Sequence, residues 1–339
     1  MLLPKLLGAA ALLTGLVSPA LAGTSPGTTP GPSFPVFVHL PADQAGHPGV
    51  PYEWWYTVGH VSAHGHNFGY EVTLSESAGT PSTNIAITDQ TTGRYYQKVV
   101  LYKPSQVSMS TDRLDVRMPN AHLSGPMGSM SLTATLPAGR ITLRLRDAGP
   151  ALYPGGAGLI PFLAGSSFYY SLPSLATSGT LTVAGHRYKV TGQSWLDRQW
   201  GSWDWTKLGK WTWMAIQLGN GERLNLWDIY SSDGENPYAT VVYPDGHQTI
   251  VAITPLARQS SGFWTSPVTG QRYATRWIVH IPALRTVLDI RAFPRDQEVM
   301  ASFPGVTPSE FEGAATVTGT AARRPITGQA YVEQLGHWN

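Results

Sequence analysis

The chain has 339 residues, with 23 Lys and Arg against 21 Asp and Glu, a formal net charge of +2 and no cysteine. Charged residues make up 13%, about half the usual ~25%, and no basic cluster of four or more occurs, which argues against a nucleic-acid partner. The missing cysteines exclude disulfides and a lipid-bearing cysteine, and no GxxxxGK[ST] or GxGxxG loop supports a nucleotide cofactor.

In chain order, residues 1–22 come first. Lys5 gives a positive start, Leu6–Val17 is apolar, and Ala20-Leu21-Ala22 offers small residues for cleavage. The apolar run is shorter than the ~20 residues a membrane span needs. The segment therefore reads as a secretory signal peptide cut after Ala22, and the protein is expected to be exported, secreted or periplasmic, with no stable membrane span afterwards. Residues 23–33, GTSPGTTPGPS, read as a flexible linker.

Beyond the linker, strand patterns dominate and no long segment shows helical periodicity with caps. In RLDVRM, Leu114, Val116 and Met118 alternate with polar neighbours. SLTATL and RITLRLRD are joined through Pro137-Ala138-Gly139, a hairpin signature, and Ile141, Leu143 and Leu145 share one face of the second strand. Strict alternation predicts strands with two unlike faces, as in a barrel or sandwich.

The chain also repeats itself. GTLTVAGHRYKVTGQSWLD (179–197) overlays GAATVTGTAARRPITGQAYVE (313–333), with Asp197 on Glu333. A fainter match links 53–74 to 211–230, each an aromatic-rich strand, a glycine-containing turn and a second strand. Duplication of a unit of all-β domain size follows, giving an N-terminal domain over 34–205 and a C-terminal domain over 206–339. In a closed up-and-down barrel the first strand pairs with the last, so EWWY (53–56) is expected beside SWLDRQW (194–200), with the tryptophans sealing the seam.

The blocks EWWYTVGH, IAITD, FYYSLPSLATSGTL, WLDRQWG and FEGAATVTG…ITGQAYVE resemble the AttH-like family, which includes the carotenoid 1,2-hydratases. The resemblance runs from about Tyr52 to the end. It implies two tandem lipocalin-like antiparallel β-barrels, and among relatives it implies hydration of isoprenoid double bonds or guided cyclisation of polyketide chains. Where the family's WLDREWG block carries Glu, this chain has Gln199.

The candidate site gathers around these strands. Asp197, desolvated by aromatic walls, would hold a proton near neutrality and protonate an alkene, with the cation held by ring faces. Glu53, Tyr56 and His60 complete the catalytic set, orienting water or substrate or serving as base. Trp54, Trp55, Trp195, Arg198 and Trp200 would line an apolar pocket in the first barrel for a small, extended hydrophobic ligand. The bland alternative makes Arg198–Glu53 an ion pair across the closing strands, and a non-catalytic carrier would use the same pocket. Asp204 is a second candidate acid or a cap. His60, His64 and His66 surround a turn with no nearby acid, so no metal is expected. No G-x-S-x-G or H-E-x-x-H supports hydrolase chemistry. The second barrel, with Glu333-Gln334 in place of the Asp-Arg step, is expected to brace the first.

Overall fold

A computed structural model of the chain describes residues 36–301, 307 and 309–336. The proposed signal peptide and linker lie outside the described residues. Among the described residues there is no α-helix, only short 3-10 turns between strands, and no helix is long and apolar enough to cross a membrane.

The strands form two large antiparallel sheets. The first holds β1 (Tyr52–Ala63), β2 (His66–Ser77), β3 (Thr80–Asp89), β4 (Arg94–Leu101), β5 (Ser108–Met109), β6 (Asp115–Met118), β7 (Ala121–Ser124), β8 (Met130–Leu136), β9 (Gly139–Asp147), β10 (Leu159–Phe162), β11 (Gly165–Val183) and β12 (His186–Ser202). Its order is β4-β3-β2-β1-β12-β11-β9-β8-β7-β6-β5, with β10 beside β11. The second holds β13 (Leu208–Leu218), β14 (Arg223–Ser231), β15 (Gly234–Val242), β16 (Gln248–Ala252) and β17 (Ser260–Ser261). After a two-stranded ribbon, β18 (Trp264–Thr265) and β19 (Arg272–Tyr273), it continues with β20 (Arg276–Ile281), β21 (Thr286–Ala292), β22 (Glu298–Val299), β23 (Glu310–Ala321) and β24 (Arg324–Gly336). Its order is β16-β15-β14-β13-β24-β23-β21-β20-β17, with β22 beside β23.

The two orders share one plan: in each, the opening hairpin is paired to the closing one through its first and last strands. The strands of the overlaid segments thus take equivalent places, β1 with β13 and β12 with β24. The curls are half-barrels rather than closed barrels. The first sheet opens between β4 and β5, which are consecutive in the chain but unpaired among the described residues. Their connection passes through a 3-10 turn at Pro104–Gln106, and proline lacks the N–H that a continuing ladder needs.

Each half-barrel encloses its own core. Val116, Leu123, Leu132, Ile141, Leu143 and Leu145 fill the first, and Met214, Leu226, Trp277, Leu288 and Phe311 the second. β9 alternates as its sequence suggests, with Ile141, Leu143 and Leu145 buried and Arg144 and Arg146 exposed. β1 behaves differently and is buried on nearly every residue. Its second face packs on the other sheet, in a third cluster that includes Tyr56, Val58, Tyr169, Trp195, Trp203, Trp211, Trp213, Trp227 and Tyr331. Gly69 shows how closely the sheets meet: a Cβ built on it would lie 2.3 Å from the Ala314 Cβ, so only a residue without a side chain fits there.

Candidate functional site

β1 and β12 run antiparallel with Glu53 opposite Trp200, Trp55 opposite Arg198, and Tyr56 opposite Asp197. Directly opposed residues share a face and successive residues alternate. The sequence-derived candidates therefore divide into two groups on opposite sides of the sheet, and the structure does not bring all of them together.

Glu53, Trp55, Arg198 and Trp200 face the interior of the first half-barrel. There Arg198 is fully buried. Its Nη2 donates to Glu53 Oε2 at 2.5 Å and to the Ala45 carbonyl at 2.7 Å, and its Nη1 donates to the Gln199 carbonyl at 3.2 Å. The guanidinium lies 3.8 Å from the Trp55 ring centroid, and the His47 ring stacks on Trp200 at 4.1 Å. Burial alone would raise the Glu53 carboxyl, but contacts with His47 and Arg198 outweigh it and hold the carboxyl below its ordinary value. Trp55 donates its indole N–H to the Gln44 carbonyl at 3.0 Å. These four residues fasten the segment before β1 onto the sheet. Only part of the expected pocket lining faces this interior, where it packs with the core side chains of the first sheet.

Trp54, Tyr56, His60, Trp195 and Asp197 face the seam between the sheets, not the first interior. Asp197 is buried there. Its Oδ2 accepts a hydrogen bond from the Tyr169 hydroxyl, and its Oδ1 accepts one from the Trp195 indole N–H at 2.5 Å. The second sheet completes the arrangement. Asn225 Nδ2 and Trp213 Nε1 donate to the Tyr169 oxygen at 2.6 and 3.1 Å. Burial pushes the Asp197 carboxyl up to about 7, against the pull of hydrogen bonds from Ser171, Tyr169 and Trp195. Burial and the neighbouring Asp197 carboxylate keep the Tyr169 phenol well above its ordinary value.

His60 also reaches across the seam, donating from Nε2 to the Ala330 carbonyl at 2.9 Å, and burial lowers its pKa so that the ring is neutral at physiological pH. Beside it, Val58, Trp195, Ala215, Gln217 and Tyr331 enclose a cavity of about 10 Å³, room for about one water. His60, His64 and His66 do not converge, since His66 packs against Phe68 and Tyr188. Asp204 is exposed and caps the next turn, accepting from the Thr206 N–H at 2.9 Å.

Next along the seam lies a group of glutamates that sequence reasoning missed apart from Glu333. One carboxylate oxygen from each of Glu310, Glu312 and Glu333 lies within 4.8 Å of the others. Glu71 of β2 faces them from the first sheet. The Tyr56 hydroxyl donates to Glu312 at 2.7 Å, Asn84 Nδ2 to Glu310 at 3.0 Å and the Thr73 hydroxyl to Glu71 at 2.7 Å. Burial raises Glu71 to about 8. Burial reinforced by mutual repulsion raises Glu333 to about 8 and Glu310 and Glu312 well above their ordinary value. Tyr169, Trp213 and Asn225 were missed as well. The available signal was the repeat itself, which puts Glu333 in the place of Asp197.

Comparison with known proteins agrees with this architecture. The family described as AttH-like matches residues 32–337. Dehydratase asqC of Emericella nidulans is 29% identical over 192 residues, covering 54% of each chain. Kievitone hydratase of Fusarium solani subsp. phaseoli is 25% identical over 185 residues, covering 52% of this chain and 51% of the other. The chain thus matches about half the length of these curated relatives. Among solved structures, an AttH protein of Nitrosomonas europaea superposes with a TM-score of 0.78 at 22% identity, covering 91% of this chain and 98% of that one. Kievitone hydratase from Nectria haematococca superposes with a TM-score of 0.76 at 18% identity, covering 89% and 94%. At these identities the structural likeness speaks for the fold. With the family match spanning nearly the whole described chain, the two curled sheets joined at an acid-bearing seam have their place: the chain belongs to the AttH-like family.

Proposed function

We propose that this protein adds water to, or removes it from, a carbon–carbon double bond of an extended hydrophobic substrate, with Asp197 as the acid. The observation that carries the reading is the Asp197 carboxyl itself. It is buried among indole rings, fixed by Tyr169 and Trp195, and held near neutrality in its proton affinity. A carboxyl raised this far can both give and take a proton near neutral pH, which suits general acid–base catalysis.

In hydration, Asp197 gives its proton to one alkene carbon and a cation forms at the other. The faces of Trp195 and Trp213 favour that cation. Water adds to it, and the proton lost by the added water returns to the Asp197 carboxylate. Dehydration is the same path reversed. Tyr169, held by Asn225 and Trp213 of the second sheet, fixes the carboxylate so that proton transfer needs little reorganisation. The seam is closed around Asp197, so substrate binding requires seam side chains to move apart. Relatives named as a dehydratase and a hydratase support the reaction class. The sequence of residues 1–22 supports action after export.

The test is turnover of a panel of isoprenoid and polyketide-type alkenes in isotopically labelled water, followed by mass spectrometry. Asp197→Asn should abolish label incorporation, a loss of at least ~100-fold, while ligand binding persists. Wild-type turnover in the Asn variant would sink the proposal. Binding without turnover in both proteins would instead indicate a carrier.

A further inference from the structure

The glutamate group has no part in the reaction just described, and its geometry points to a use of its own. We propose that Glu310, Glu312 and Glu333 of the second sheet, joined by Glu71 and Asn84 of the first, form a calcium site that ties the two sheets together.

Position comes first. On β2, Gly69 meets Ala314. Thr73 pairs with Tyr56 on one side and with Asn84 on the other, and those two residues bond to Glu312 and Glu310. Glu71 sits between Gly69 and Thr73 on the same face, so its side chain points at the same stretch of β23. It is fully buried, its Oε1 is taken by Thr73, and its Oε2 has no hydrogen-bond partner. Asn84 is 8% exposed. Its Nδ2 is on Glu310, and its Oδ1 is without a partner. Two buried oxygens contributed by the opposite sheet are therefore unsatisfied beside three carboxylates. Unsatisfied buried acceptors are costly, and an oxygen-seeking cation removes that cost.

Ligand chemistry selects the ion. The ligand set is all oxygen, which suits a hard cation rather than zinc. The carboxylate oxygens lie within 4.8 Å of one another, and a cage built wholly from protein carboxylate and amide oxygens suits calcium, whereas magnesium keeps several of its waters. Charge agrees. Among the described residues none of the four glutamates is in an ion pair, so no basic side chain competes with a cation for these oxygens.

Trp213 lies opposite Glu333 in the β13–β24 ladder, close enough to pass excitation energy to a bound lanthanide. The experiment uses the full chain after chelator treatment. Terbium is titrated with excitation through tryptophan, calcium is then added as competitor, and thermal unfolding is recorded with and without calcium. The expected result is sensitised terbium emission displaced by calcium, a rise in Tm with calcium, and at least tenfold weaker terbium binding in Glu312→Gln and in Asn84→Ala. If the Gln variant does not fold, Asn84→Ala and calcium retained by the wild type after dialysis decide the matter. Absence of both emission and a calcium-dependent Tm shift in the wild type overturns the proposal, as does emission that persists undiminished in the folded variants. None of these readouts depends on turnover.

Discussion

Replacing Arg198 by methionine should be among the most damaging single changes available to this fold. Methionine keeps much of the apolar stem but removes the guanidinium, stranding the buried Glu53 carboxylate and the Ala45 carbonyl, which now receive short hydrogen bonds. Breaking a buried pair by deleting one partner costs about 3–5 kcal/mol, a fifth or more of a typical stability of ~5–15 kcal/mol. Most of that cost is the abandoned charge, so adding Glu53→Gln should recover part of it. Urea unfolding followed by tryptophan fluorescence measures the cycle, with an expected coupling of about 2 kcal/mol. The pH profile supplies a second check. The Glu53 carboxyl is held below its ordinary value in the fold, so its contribution is present at neutral pH, above the unfolded pKa of about 4.3. It fades as pH falls through the lower folded value; Arg198→Met should weaken that acid limb, and the double change should remove it. A cost below about 1 kcal/mol for Arg198→Met, or strict additivity of the two changes, would refute the assignment of this pair as the clamp on the segment before β1.

Two further outcomes follow from the seam. Gly69→Ala places a methyl 2.3 Å from the Ala314 Cβ and should cost about 1–3 kcal/mol through overpacking; an unchanged urea midpoint would mean that the sheets do not approach as described. Asp197 has its folded pKa raised to about 7, so its stabilising effect is complete below the unfolded value and is lost as pH climbs through 7. The difference in Tm between Asp197→Asn and wild type should therefore shift in favour of the variant from about pH 4 to above pH 7, and a pH-independent difference would contradict a buried, protonatable Asp197.

The duplication and the β1–β12 contact were legible because repeats and end strands leave marks in order and spacing. β9 was legible to the residue, since one face meets core and the other meets water. β1 and β12 were not, because a strand buried on both faces carries no alternation to betray which side points inward. That is why Asp197 was expected at a pocket in the first barrel, although its strand was expected at a tryptophan-sealed seam. Glu310 and Glu312 hid for a related reason: two acids spaced by one residue read as a solvent-facing edge of a strand, and only the packing of a second sheet above them reverses that reading. The Tyr169 hydroxyl reaches Asp197 across 28 residues, and Asn225 reaches Tyr169 from another sheet.

The equivalent placement of Asp197 and Glu333 has a consequence for ancestry. A lone copy of this unit would carry a broad, aromatic, acid-dotted flank with nothing to cover it, and pairing with its twin about a two-fold axis is the simplest remedy. In such a dimer the two acids would be the same residue, unable to differ. Joining both copies in one polypeptide releases them from that identity, and here one position holds an aspartate bonded to Tyr169 and Trp195 while the other holds a glutamate beside Glu310 and Glu312.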